Sequence, residues 1–401
     1  MSYDLLEDVK VVELSMYAFA PSASAVLSDW GASVIKVVPP KTADPMMGTP
    51  IAGLPKEDVG VAFMWEILNR GKRCAAIDVD TDDGRQVLLD LVERADVFLT
   101  NLLPGARKRM RIEPQDLFET NPSLIYARAT GHGARGPERD AGGFDHTDFW
   151  ARTGIGHAAS MVSDEFVPQP GPAMGDLSAG AFLAGAIAAA LYRRSRSGKG
   201  SVVDVSLLSA GLWVSSPAVV ASQLYDVETI PRMRHSNLPN PLVAAYATRD
   251  GRVIYFAGIM TEGHFENFCE AIGRMDLLAD ARFATARDRL AHAQECIEVL
   301  DSVFAQRDLA EWIPALQSMT TPWTVVQTAA EAAHDPQTTA NGFLARVDDR
   351  YSLVRSPAIF DDAKPDLVRA PEHGEHTEEV LLEIGRSWDE ILALKQAGAV
   401  L

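Results

Sequence analysis

Short apolar runs alternating with helical periodicities set the pattern of the first two hundred residues. Residues 8–14, with Val9, Val11, Val12 and Leu14, read as a strand, and residues 21–30, rich in Ala and Ser, read as a helix that stops at Gly31. Residues 32–38 repeat the strand pattern and are closed by Pro39 and Pro40, which completes one βαβ unit. Strands follow at 74–79, 97–100 and 124–129, with a helix over 82–94 opened by acidic residues. Strand and helix alternating over short connections predict a parallel sheet covered by helices, an open Rossmann-like α/β layer. Ligands of such sheets bind outside the carboxyl ends of the strands, so the loops there are where chemistry is expected.

The texture then changes. Residues 177–194 form a helical stretch of almost entirely small and apolar residues, with Arg193 and Arg194 in the last turn and Gly198 placed to end it. A strand is predicted over 201–207 and one long helix over 208–225. Around 231–241 three prolines, Pro231, Pro239 and Pro241, mark a linker. Residues 246–256 read as a hairpin on the Asp250-Gly251 turn, and amphipathic helices follow from 262 to 317. Residues 322–326 read as a returning strand, and a polar, proline-punctuated tail ends in a last helix. The expected division is a large domain from 1–207, a linker helix and loop from 208–240, a small α+β domain from 241–320, and a return to the large domain from 321–401.

Charge narrows the function classes. The chain has 401 residues with 37 Lys and Arg against 55 Asp and Glu, a net charge of -18. That balance argues against general binding of nucleic acid or membrane surfaces, so an anionic substrate requires a local basic site. Cys74, Cys269 and Cys296 have no metal-type spacing, and an odd, scattered set fits a reducing compartment. No metal site is expected. The first thirty residues show no secretory pattern and no apolar run reaches the length of a membrane span, which makes the cytoplasm the default expectation.

The candidate chemistry centres on Asp176, in Gly175-Asp176-Leu177-Ser178-Ala179-Gly180 at the mouth of the apolar helix. An Asp there caps the free amides of the first turn, and the helix dipole favours its ionised form. The same position also suits a carboxylate nucleophile with an oxyanion site beside it. Two basic runs flank predicted strands. Asn69-Arg70-Gly71-Lys72-Arg73 precedes one, and Asn101-Leu102-Leu103-Pro104-Gly105-Ala106-Arg107-Lys108-Arg109-Met110-Arg111 follows another. Their seven cations suit the phosphates of a small ligand or, equally, a solvated basic face. The loop after the first strand, residues 15–21, lacks a GxGxxG, which disfavours a dinucleotide.

As an ordered set, these landmarks resemble the family III CoA-transferases, a group that includes carnitine and formyl-CoA transferases and α-methylacyl-CoA racemases. The matching stretches are residues 27–37, Leu68-Asn69-Arg70-Gly71-Lys72-Arg73, residues 95–101 with Pro104-Gly105, residues 121–126, Gly175-Asp176, Ser197-Gly198-Lys199-Gly200 and Gly374-Glu375-His376-Thr377. The resemblance implies a Rossmann-like large domain formed by both chain ends, a smaller inserted domain, and an interlocked homodimer. It implies acyl-CoA and a carboxylic acid as substrates, with Asp176 forming an acyl anhydride and then an aspartyl-CoA thioester. It also implies CoA contacts at Ala18 and Phe19, at Leu68, Asn69, Gly71 and Lys72, and at Asn101, Leu102 and Leu103. Arg73 is expected at the same site; Pro39, with Lys41 close by, stands where several members carry an Arg, and Arg107, Lys108 or Arg109 is expected to compensate for it.

The racemase branch places a His before the Asp of a Gly-His-Asp segment. Here Gly143-Phe144-Asp145 carries Phe144 at that position, and His146, two residues on, lies about 200° round a helix. A phenyl ring carries no proton, so transfer is favoured over racemisation. The segment through Thr147, Trp150, Ala151 and Arg152 is similar to the transferase branch that acts on aryl or branched 2-hydroxy acids. An isomerase and a CoA-binding paralogue without turnover are the alternatives.

Overall fold

Six short strands, each dominated by residues that fit a pleated buried surface, form a single parallel sheet. They are β1 (Lys10–Leu14), β2 (Ser33–Val38), β3 (Arg73–Ala76), β4 (Val97–Thr100), β5 (Ile125–Thr130) and β6 (Ser201–Ser206). Their order is β3-β2-β1-β4-β5-β6, with Val11 of β1 level with Val34 on one side and Val97 on the other. The computed structural model describes residues 3–48, 51, 53–54, 59–258 and 262–401. The predicted Rossmann-like α/β layer is present as this mixed α/β fold.

Both faces of the sheet are covered, as an all-parallel sheet requires. On one face α1 (Phe19–Asp29) and α7 (Met174–Ser197) pack over Val11, Val34, Val97, Leu99 and Ile125. Between them in the chain lie α2 (Phe63–Asn69), α3 (Asp82–Glu93), α4 (Pro104–Met110), α5 (Pro114–Thr120) and α6 (Ile155–Ser160). The other face buries Val12, Val37, Phe98 and Tyr126 under α3 and α5. Val380, Leu381 and Ile391 of the last two helices join that layer, so residues from both chain ends build this core. After β6 come α8 (Leu207–Val214) and α9 (Ser216–Tyr225). The single helix expected over 208–225 is thus two helices bent by 66°, because Pro217 lacks the amide a continuous helix needs.

By length and composition α7, with 24 residues, could cross a membrane, contrary to the expectation that no run is long enough. Its alanines, with Leu177, Leu183, Ile187 and Leu191, raise the mean hydropathy, and Ala179, Leu183, Ala184 and Ile187 lie in the core against α1 and the sheet.

The chain divides into a first unit of residues 1–230 and 339–401 and a second of residues 231–338. The second is an antiparallel sheet of β7 (Ala245–Ala247), β8 (Val253–Phe256) and β9 (Trp323–Val325) with helices around an aromatic core of Tyr246, Phe256, Phe268, Phe304 and Trp312. It therefore begins and ends outside the expected 241–320, and residues 208–230 belong to the first unit.

Candidate active site

Successive strands are added in opposite directions on the two sides of the β1–β4 pair, which makes the carboxyl end of that pair the topological switch point. A cavity of about 410 Å³ opens there. The loop after β1 contributes Met16 and Tyr17, and α1 contributes Phe19. The loop after β4 adds Asn101, Leu102 and Leu103, the end of β5 and the loop after it add Thr130, Gly131 and His132, and Phe144 and Asp176 also line the wall. Asn101 binds two of these loops together: its Oδ1 accepts the Met16 amide at 3.0 Å and its Nδ2 donates to the Met16 carbonyl at 2.6 Å. Tyr17 holds a left-handed φ of 64°, an unfavourable conformation for a bulky residue, and its ring meets Phe144 edge-on at 5.4 Å.

Asp176 reaches the cavity from the first turn of α7. It is the third residue of the helix and not its cap; Ala173 occupies the cap position in a left-handed conformation, φ 61°. Small residues allow α7 to come this close. A Cβ on Gly180 would lie 1.8 Å from Ser22 Oγ, and one on Gly175 would lie 2.5 Å from the Phe149 ring. Ser22 Oγ sits 3.0 Å from the Asp176 carbonyl and 2.7 Å from that of Phe19, which pins the first turns of α7 and α1 together.

Burial raises the Asp176 carboxyl from its ordinary 3.8 to about 7, and Asp145 adds to the effect. Asp145 is itself buried, with one oxygen 2.8 Å from His146 Nδ1 and the other accepting from Gln169 Nε2 at 2.7 Å. The expectation that the helix terminus keeps Asp176 fully ionised is corrected accordingly, since desolvation and a like charge outweigh the first-turn amides. Two consequences follow from one sign. The folded protein holds a proton on Asp176 that the unfolded chain releases near pH 4, so its stability falls between about pH 4 and 7. Asp176→Asn is therefore expected to gain about 1–2 kcal/mol at pH 8 and little at pH 4, a small figure because the side chain is partly solvated. A reaction that needs the carboxylate is expected to lose kcat/KM as pH drops below about 7. Melting curves and a pH–rate profile measure both, and a profile flat from pH 5 to 8 would contradict them.

Of the residues expected to contact a ligand, the structure brings Phe19, Asn101, Leu102, Leu103 and Arg107 to the same cavity as Asp176. The others lie elsewhere. Ala18 and Leu68 are buried against Met64 and Ala173. Gly71, with φ 71°, donates its amide to the Val368 carbonyl. Lys72 Nζ is fully buried on Glu13, the Pro21 carbonyl and Asn69 Oδ1. The two basic runs are largely neutralised in place. Arg70 pairs with Asp29, Lys72 with Glu13, Arg73 with Glu379 and Glu383, Arg107 with Glu113, Arg109 with Asp80 and Arg111 with Asp82. Arg73 and Arg109 in particular are held at the surface by carboxylates. Lys108 instead lines a polar cleft of about 230 Å³ with Arg128 and Arg139, which shares Arg107, Thr130 and Arg139 with the main cavity.

The model of CoA-transferase family III matches residues 6–377 of the chain. The chain belongs to that family. As a family III CoA-transferase it is an enzyme whose reaction class uses CoA thioesters and carboxylates. It is 29% identical over 402 residues to a cinnamoyl-CoA:phenyllactate CoA-transferase of Clostridium sporogenes, covering 98% of this chain and 96% of that one. It is 30% identical to an (R)-2-hydroxy-4-methylpentanoate CoA-transferase of Clostridioides difficile, covering 99% of each. The crystal structure of a CaiB/BaiF family protein from Brucella suis superposes with a TM-score of 0.82 at 28% identity over 96% of this chain and 100% of that one.

Within this transferase the residues that sequence reading passed over are Thr130 at the end of β5 and Gly131 and His132 after it, together with Tyr17 and Arg139. The rule that placed the other two loops at the carboxyl end of the sheet applies equally to the loop after β5, so the signal was present. Phe144, read as standing in the place of a proton-carrying His, does line the cavity, and His146 is more than half exposed beside it.

Proposed function

We propose that this transferase moves CoA from an acyl-CoA donor to an aryl or branched 2-hydroxy acid through covalent intermediates on Asp176. The observation that carries the reading is a carboxylate without a cationic partner among the described residues, facing a largely apolar cavity at the switch point of the sheet. An Asp176 oxygen attacks the thioester carbonyl, the C–S bond breaks, and an acyl-aspartyl anhydride and CoA thiolate result. The thiolate attacks the aspartyl carbonyl, releases the donor carboxylate and leaves an aspartyl-CoA thioester. The acceptor carboxylate then runs the two steps in reverse, so no proton is gained or lost. A poorly solvated carboxylate is a stronger nucleophile than one in water, at the cost of ionising late. The cleft that holds Lys108, with Arg107, Arg128 and Arg139 seated on Glu113, Asp204 and Asp140, is the basic feature nearest the cavity for the charged end of CoA. The apolar rings of Tyr17, Phe19 and Phe144 suit an aryl or branched acyl group.

A homodimer is part of the proposal. Trp213, Leu224 and Tyr225 on α8 and α9 are 69%, 73% and 76% exposed, an apolar face that a second copy would cover. An isomerase is the second reading, because His132 shares the cavity. The test is a panel of acetyl-, succinyl-, cinnamoyl- and branched acyl-CoA donors against phenyllactate, 2-hydroxy-4-methylpentanoate and glutarate, on protein whose sedimentation mass is measured first. Twice the 43.5 kDa chain mass and fastest transfer to the 2-hydroxy acids are expected. Transfer to none of these acids, with solvent deuterium entering Cα of a 2-methylacyl-CoA, would favour the isomerase instead.

A further inference from the structure

Residues 131–143, which follow β5, leave the sheet and come back to their own start. The stem of this loop is tight. A Cβ on Gly131 would lie 2.7 Å from Gly143 Cα, and one on Gly143 would lie 2.1 Å from Oδ2 of the buried Asp148. Arg152 follows a turn of π-helix over 145–151, and its Nη1 donates to His132 Nδ1 at 3.1 Å. A guanidinium only donates, so His132 carries its hydrogen on Nε2 and gives it to the Gly142 carbonyl at 3.3 Å, joining the two arms of the stem. The tip is the opposite. Residues 135–142 are exposed, and a Cβ on Gly136 would meet no atom within 4 Å. Among the described residues the backbone of 134–141 hydrogen-bonds only within the loop, Arg139 to the Gly136 carbonyl and Ala141 to that of Glu138. A closed stem with an unpacked tip is an Ω-type loop that has few contacts to lose when it moves.

The tip carries a cation to the place where one is useful. Arg139 lines both the cavity of Asp176 and the polar cleft beside it. Its ion pair is with the next residue, Asp140, at 3.4 Å; both side chains are more than half exposed, and both travel with the loop. The tether from Glu138 to Arg152 is exposed as well. Such pairs are worth little in water, so either can be exchanged for a stronger anion without stranding a buried charge. Arg107, the other arginine of the cavity wall, is by contrast buried on Glu113 and the Leu102 carbonyl. The chemistry supplies the need for a cover. Water adding to the anhydride or to the aspartyl-CoA thioester would return Asp176 as a carboxylate, and acyl-CoA plus water would give only acid plus CoA. Resting on the transferase reading above, we propose that residues 133–141 are a lid that closes over the cavity when Arg139 meets a phosphate of bound CoA, and that this closure keeps water from the intermediates on Asp176.

Hydrogen exchange read by mass spectrometry follows the lid without turnover. Saturating CoA is expected to slow exchange of the amides of 134–141 by on the order of tenfold, the size of one charge-assisted hydrogen bond. Pantetheine, which has no phosphate, is expected to leave them unchanged. 3′-Dephospho-CoA locates the anion: full protection assigns the latch to the pyrophosphate, and reduced protection assigns it to the 3′-phosphate. Arg139→Gln is expected to abolish the slowing, and Arg139→Lys to retain part of it. With a donor identified in the panel, the ratio of acyl-CoA hydrolysis to transfer at saturating acyl-CoA is expected to rise by on the order of tenfold in Arg139→Gln. An arginine that merely binds CoA would raise KM and leave that ratio alone. No protection by CoA, equal protection by pantetheine, or an unchanged ratio in Arg139→Gln overturns the lid. Transfer without CoA-dependent protection would sink this inference alone, whereas protection lost in Arg139→Gln with no transfer to any acid would sink the transferase reading alone.

Discussion

Asp176→Ala is expected to lower kcat/KM for CoA transfer by about 10⁴-fold or more while leaving the fold intact. Each half-reaction passes through a bond to this carboxylate, and removal of a nucleophile that carries every step commonly costs that much. Among the described residues no neighbour is placed to substitute. Asp145, the nearest carboxylate to shift its titration, has its oxygens committed to His146 and Gln169, and Phe144 has no lone pair to offer. The fold should tolerate the change because the Asp176 side chain is raised in pKa by its surroundings and anchors no neighbour through an ion pair among the described residues. Exchange of labelled carboxylate into acyl-CoA measures the rate, and circular dichroism confirms the fold. Activity within tenfold of wild type would remove Asp176 from the mechanism.

The second large effect is structural. Glu13 of β1 is wholly buried, and each of its oxygens accepts one lysine and one serine: Oε1 takes Lys36 at 2.9 Å and Ser15 at 2.6 Å, and Oε2 takes Lys72 at 2.8 Å and Ser24 at 2.5 Å. Burial alone would raise its carboxyl, but Lys36 and Lys72 hold it well below the usual carboxylate range. The two lysines are not equivalent. Burial presses on both, and Lys36 resists it with a second carboxylate, Asp44, at 3.4 Å. Lys72 shares only Glu13, with Lys36 and Arg70 close by, and falls to about 7. Glu13→Gln would leave the buried Lys36 ammonium with Asp44 as its one carboxylate and strip Lys72 of Glu13, and is expected to cost about 3–5 kcal/mol of unfolding free energy. Because Lys36 also donates to the Ser15 carbonyl and Lys72 to the Pro21 carbonyl, the loop bearing Met16 and Tyr17 should loosen with it. Denaturant unfolding is the measurement, and a loss under about 1 kcal/mol would contradict the coupling.

Much of the fold was legible because single-residue rules sufficed for it. Alternation and apolar runs located every strand of the sheet to within a few residues, and Val97–Thr100 was bounded without error because charged and polar residues flank it. The start of α7 was misjudged, since Pro172-Ala173-Met174 offers no polar cap and the helix opens instead from a left-handed Ala173. Asp176 therefore lies inside the first turn, and burial governs its titration more than capping does. The break at Ser215 was marked by Pro217 and was readable. What no local rule supplies is pairing across the chain. Arg73 meets Glu379 and Glu383, more than 300 residues away, and Lys72 meets Glu13 59 residues back, so a run that reads as a phosphate site becomes internal scaffolding. His132 was hidden for the same reason: Arg152, which donates to its Nδ1, and Asp148 beside it are brought there by a π-turn.

The covalent role of Asp176 is open to direct chemical capture. The protein incubated with a donor acyl-CoA identified in the panel, then treated with hydroxylamine or borohydride, digested and analysed by mass spectrometry, should carry a hydroxamate or a reduced side chain at Asp176. The modification should depend on the acyl-CoA and be missing in Asp176→Ala. A wild-type peptide unmodified at Asp176 under conditions of active CoA transfer, or modification at another carboxylate, would contradict the mechanism.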